Sequence, residues 1–114
     1  MPLMKMECNI KIEAIQKNSL LQKMSDLTSR ILGKPESYVM CILEDGKNMS
    51  FAGNSEPACY VEFKSLGLPE DKTQDLSKAI CEQISENIGI TSGRIYIEFS
   101  NAQRHLWGWN NGTF

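Results

Sequence analysis

The order in which the hydrophobic periodicities follow one another constrains this chain most. Pro2 to Cys8 alternates, with Pro2, Met4, Met6 and Cys8 on one face and Leu3, Lys5 and Glu7 on the other, which is the period of a strand. From Ser19 to Leu32 the period becomes helical, through Leu20, Met24, Leu27 and Ile31. Gly33 is the favoured residue just past a helix end, and Pro35 forbids continuation. Tyr38 to Glu44 is rich in β-formers, and Asp45-Gly46 predicts a hairpin onto a short partner strand at Asn48 to Ala52. The sequence of periods then repeats. Ala58 to Leu66 alternates, a helix is predicted from Glu70 to Asn87 on the stripe Leu76, Ile80, Ile84 and Ile88, and Arg94 to Ser100 alternates again. Two strand-helix-strand units of about fifty residues result, alike in element order but not in residues. Each parallel pair needs a right-handed crossover through its helix, so both helices cover one face of a single mixed sheet. The prediction is one α/β (α+β) domain over residues 1–114, a duplicated strand-helix-strand with both helices on one sheet face. The other sheet face, carrying Tyr60, Glu62, Lys64, Tyr96 and Glu98, is left for solvent or an oligomer.

Composition narrows the function classes. Of 114 residues, 41% are hydrophobic and 23% charged, with a net charge of −2, so a disordered or collagenous chain is excluded. No basic stripe favours nucleic acid, and no apolar run approaches the roughly 20 residues of a membrane span. The start, Met-Pro-Leu-Met-Lys-Met-Glu-Cys, lacks the apolar core of a leader peptide. A cytoplasmic protein is expected, with leaderless export as the alternative. Cys8, Cys41, Cys59 and Cys81 are widely spaced without a CxxC, which points to small buried hydrophobes rather than a metal or redox centre. No metal and no cofactor are expected.

Pro2 is the residue with chemical potential. Loss of Met1 would leave a secondary amine at the chain end. An α-amino group has a pKa of about 8, so roughly a tenth is neutral at pH 7. An apolar pocket beside a cation lowers that pKa; a drop of about two units corresponds to roughly 2.7 kcal/mol and yields a base suited to neutral pH. Met4 and Met6 on the face of Pro2 are the expected apolar lining. Lys34, at the helix exit, is the expected cation, able to hold a small acid and to stabilise an enolate.

Several segments, taken together, resemble one family closely: Met-Pro-Leu at the start, Leu-Gly-Lys-Pro-Glu-Ser-Tyr-Val-Met at 32–40, Met-Ser-Phe-Ala-Gly-Asn-Ser-Glu-Pro at 49–57, Ser65-Leu66-Gly67, Arg94-Ile95-Tyr96-Ile97, and the terminal Gly-Trp-Asn-Asn-Gly-Thr-Phe. The family is that of macrophage migration inhibitory factor, in the tautomerase superfamily, and the resemblance spans the chain. It implies a four-stranded mixed sheet under two antiparallel helices, and a homotrimer with active sites between subunits. It also implies cofactor-free keto–enol tautomerisation of phenylpyruvate-type acids and dopachrome analogues (phenylpyruvate tautomerase and L-dopachrome isomerase activities). Pro2 then matches the catalytic proline and Lys34 the lysine that binds the substrate acid. Leu66 stands at a position whose backbone amide contacts substrate, Tyr96 at the pocket wall from a neighbouring chain, and Trp109 and Phe114 at the pocket mouth.

Three departures accompany the resemblance. Glu98 stands where vertebrate members have Asn and would disfavour an acidic substrate and raise the proline pKa. Trp107 replaces a small aliphatic residue and would narrow the opening, and Ala58 beside Cys59 removes the family's CxxC. Glu98 and Trp107 nonetheless join the expected substrate-binding set. The resemblance also allows two other functions. One is a cytokine-like or host-mimic signal that binds an invariant-chain-type receptor; the other is dehalogenation of small unsaturated acids.

Overall fold

The computed structural model describes residues 1–114. Strand β1 (Pro2–Cys8) is followed by helix α1 (Ala14–Leu32) and strand β2 (Met40–Glu44); β3 (Cys59–Leu66), α2 (Thr73–Ile88) and β4 (Ile95–Ala102) repeat that order. A hairpin of β5 (Gly108–Trp109) and β6 (Gly112–Thr113) closes the chain, turning through Asn110 and Asn111, both at positive φ. The sheet order is β2-β1-β3-β4. β1 and β2 are parallel, as are β3 and β4, and the two units meet antiparallel where Pro2 faces Ser65 and Cys8 faces Cys59. Two parallel pairs joined through their helices is the predicted architecture.

Alternation in β1 and β3 sets the core. Met4, Met6 and Cys8 of β1 and Cys59, Val61 and Phe63 of β3 are buried against Leu20, Met24, Leu76, Ile80 and Ile84 of the helices. Each fully buried side chain of this size stabilises the fold by roughly 1.5–3 kcal/mol. Two αL glycines end the helices, Gly33 at φ 64° and Gly89 at φ 72°. α1 starts five residues earlier than predicted, because its first turn is exposed (Ile15 is 82% accessible) and carries no apolar stripe.

The hairpin predicted at Asp45-Gly46 does not form. β2 pairs with β1 on one side only and ends at Glu44. The residues after it make a loop that holds a single bridge between Phe51 and Asn54. The turn instead fastens the β1–α1 connection: the Gly46 and Lys47 amides donate to the Ile10 and Cys8 carbonyls (both 2.9 Å). The Asp45 carboxylate accepts from the Ile12 amide (2.8 Å) and pairs with Lys17 (2.9 Å). These bonds hold its pKa down at about 2. A turn-forming dipeptide marks a reversal of the chain, and here the reversal serves a parallel pair. Arg94 secures the following loop by donating to the Pro57, Glu56 and Phe51 carbonyls.

Candidate active site

The chain end at β1 opens onto a cavity of about 520 Å³ between the exit of α1, the end of β3 and the C-terminal tail. Met1, Lys34, Leu66 and Arg104 reach it, and Tyr38, Trp109 and Phe114 form its aromatic wall. Trp109 and Phe114 stack with ring centroids 5.3 Å apart, and Tyr38 meets both edge-on at 5.5 and 6.0 Å. The tail is fastened there by the Phe114 amide donating to the Trp107 carbonyl (3.2 Å). A smaller adjoining cavity of about 160 Å³ holds Pro2 beside Leu3, Met40 and Trp107.

Helix termination places Lys34. With Gly33 in the left-handed region the chain turns sharply, and the Lys34 amide donates to the Ser29 carbonyl (3.1 Å) while the Ser29 hydroxyl donates to the Lys34 carbonyl (2.6 Å). The side chain then crosses to β3, where its ammonium donates to the Ser65 hydroxyl (2.9 Å) and to the Leu66 carbonyl. Burial, and then the nearby Arg104 charge, lower the Lys34 pKa.

In the structure Met1 precedes Pro2, so the Pro2 nitrogen is an amide. The Met1 amine has its pKa lowered by burial first, then by the charges of Lys34 and Arg104. The Met1 carbonyl accepts long hydrogen bonds from the Leu66 amide and the Ser65 hydroxyl, both at 3.4 Å. That carbonyl is the partner of the Leu66 N–H, so loss of Met1 would leave this N–H unpaired at the cavity that Lys34 also reaches.

Of the residues expected at the site, Pro2, Lys34, Leu66, Trp107, Trp109 and Phe114 come together at this end of the sheet. Tyr96 and Glu98 do not, within one chain. Tyr96 pairs in register with Tyr60, five residues along β3 from Ser65, the partner of Pro2; at strand spacing that is about 17 Å. Its ring packs edge-on against Phe51, 4.8 Å away, and Glu98 is exposed on the sheet face opposite the helices. Met4 and Met6 do not line the pocket either: both are fully buried under the helices, because the face they share with Pro2 is the core face. Tyr38 and Arg104 are the cavity residues the sequence did not single out. Tyr38 lies in a short 3₁₀ turn, Glu36–Tyr38, before β2 rather than in the strand, and Arg104 opens another, Arg104–Leu106. A lone Arg in a polar stretch carries no periodic signal.

Two strand-helix-strand units in one mixed sheet, with the chain's amino end opening onto a cationic, aromatic-walled cavity, define a small α/β protein of the tautomerase type of fold. The sequence model described as macrophage migration inhibitory factor (MIF) matches residues 1–114. A Trichinella spiralis protein named macrophage migration inhibitory factor homolog is 31% identical over 115 residues, covering 100% of both chains. The crystal structure of the macrophage migration inhibitory factor homologue from Prochlorococcus marinus superposes with a TM-score of 0.94 at 46% identity, covering 98% of each chain. The Trichinella spiralis structure gives 0.90 at 30% identity, over 98% of this chain and 99% of that one. The chain belongs to the macrophage migration inhibitory factor family.

Proposed function

We propose that the protein is a cofactor-free keto–enol tautomerase of arylpyruvate-type acids, with the Pro2 amine as general base once Met1 has been removed. The observation that carries this is the convergence, on one aromatic-walled cavity, of the chain end, the Lys34 ammonium and the Leu66 amide. The Pro2 nitrogen takes a proton from the carbon next to the keto group. The C–H electron pair becomes the C=C bond, the carbonyl π pair moves to oxygen, and the proton held by the Pro2 ammonium is passed to that oxygen, directly or through water, which restores the neutral amine. The step is an isomerisation, balanced without an oxidant or a second substrate. Lys34 holds the carboxylate and offsets enolate charge, while Tyr38, Trp109 and Phe114 cover the ring and exclude water.

The base must be neutral. Burial and two neighbouring cations all disfavour the protonated amine, as they already do for Met1 in the same place. Its pKa therefore falls below the usual value of about 8, and kcat/KM rises with pH through that lowered value and then levels off. Pro2→Gly in chains shown by intact mass to lack Met1 removes the secondary amine and is expected to lower kcat on phenylpyruvate at least about a hundredfold, with circular dichroism unchanged. An unchanged rate, or an acid limb centred above pH 8, overturns the proposal.

We further propose that the assembly is a trimer in which a neighbouring subunit supplies Tyr96 and Glu98. The distance separating both residues from Pro2 within one chain supports this, as do the unpaired outer edges of β2 and β4.

A further inference from the structure

Beside Lys34, the cavity holds a second cation that a monocarboxylic acid seated on Lys34 leaves without a partner. The chain has three arginines. Arg30 is paired with Asp26 at 2.8 Å, and Arg94 is bound to three backbone carbonyls and lies over the Phe51 ring. The Arg104 guanidinium alone has no ion pair and no hydrogen bond. It faces the same space as Lys34, and within one chain no Asp or Glu side chain lines that space. Within one chain the two cations meet no Asp or Glu side chain and repel each other, which is the reason the Lys34 pKa is lowered partly through Arg104. The repulsion is relieved when a ligand brings two negative charges. The groups also differ in kind: Lys34 offers a compact charge already fixed by Ser65 and Leu66, whereas Arg104 offers an open planar fork that matches a carboxylate in two hydrogen bonds.

We propose that the substrate class is a 2-oxo dicarboxylic acid, with the carboxylate next to the keto group on Lys34 and the second carboxylate on Arg104. This rests on the tautomerase assignment above for the chemistry and on Arg104 for the selectivity. Arg104 is then a specificity-determining residue. It starts the 3₁₀ turn Arg104–Leu106, whose closing bond runs from the Trp107 amide to the Arg104 carbonyl (3.3 Å). That bond uses backbone only, so a side-chain replacement leaves the turn intact.

The test compares tautomerisation of phenylpyruvate with that of its ring-carboxylated analogue, 4-carboxyphenylpyruvate, in protein lacking Met1. The ratio of kcat/KM for diacid over monoacid is the readout, because a change in the Pro2 pKa affects both substrates and cancels. Wild type is expected to prefer the diacid. Arg104→Ala should lower the ratio about tenfold or more, mainly through KM of the diacid, as loss of a charged hydrogen-bonded partner implies; Arg104→Lys should restore part of it. An unchanged ratio in Arg104→Ala overturns the proposal. So does an equal loss on both acids that Glu98→Gln reproduces, since that result means Arg104 serves the subunit contact instead. Calorimetric binding to the Pro2→Gly chain separates this proposal from the chemistry. If wild type fails to tautomerise either acid but Pro2→Gly binds the diacid more tightly, in an Arg104-dependent way, the tautomerase assignment falls and the dianion site stands. Equal binding of both acids sinks the dianion site.

Discussion

At the scale of single residues, the site is built from side chains whose partners are mostly backbone. Lys34 is held by a hydroxyl and a carbonyl of β3 rather than by a carboxylate, so its charge is positioned without being neutralised and stays available to an acid. The thiols show the opposite treatment: burial pushes Cys59 up to about 12 and Cys41 up to about 11. Neither is a nucleophile at neutral pH; Cys8 and Cys59 are buried as expected, whereas Cys41 and Cys81 are only partly buried. One residue carries a cost. The Thr28 hydroxyl is fully buried in α1 and has no hydrogen-bond partner, and an orphaned buried hydroxyl costs on the order of 1–3 kcal/mol. Thr28→Val keeps the shape and removes that group. It is expected to raise stability by about 1 kcal/mol, read as a higher urea midpoint at constant m-value. A lower midpoint would show that the hydroxyl is satisfied.

At the scale of elements, the end of α1 does two things at once. Gly33 takes φ 64° with no atom near the position a Cβ would occupy, so the requirement is conformational, not steric crowding. Gly33→Ala forces a non-glycine residue into the left-handed region, at about 1–2 kcal/mol. Because Lys34 is the next residue, the expected signature is paired: a lower urea midpoint and a higher KM for the acid substrate, with kcat much less affected. A stability loss with unchanged KM would mean that Ser29 and Ser65 fix Lys34 without help from the helix end. Both glycine stops and all four sheet strands are legible from periodicity alone, with ends shifted by one or two residues. The early start of α1 and the fate of Asp45-Gly46 are not. The first lacks an apolar face, and the second depends on which strand lies beside β2, which no local pattern encodes.

At the scale of the whole molecule, the sheet face away from the helices is the surface that the proposed assembly covers. It mixes Leu3, Ile42, Tyr60 and Tyr96 with Lys5, Glu7, Lys64 and Glu62, whose charges pair loosely at 3.8 Å. Such part-exposed pairs contribute little on their own. The two outer strands leave unpaired edges, and unprotected edges invite pairing with another chain. The proposed trimer covers this face and completes each site. Sedimentation equilibrium at micromolar concentration is expected to give three times the 12.9 kDa chain mass; a monomer that is still fully active would remove any role for a neighbour's Tyr96.

Local patterns along the chain suffice for the two strand-helix-strand units, the helix stops, the inward faces of β1 and β3, and the chemical potential of Pro2 and Lys34. These follow from local periodicity, from glycine's conformational freedom and from the unique amine of a terminal proline. Packing and register settle that Met4 and Met6 belong to the core, that Tyr96 and Glu98 line neither cavity at the Pro2 end of one chain, and that Tyr38 and Arg104 face the larger one. Those facts depend on strand register and on where the tail folds back. They are long-range relations, and a residue such as Arg104 acquires its meaning only from the unpaired charge of Lys34 that the fold sets before it.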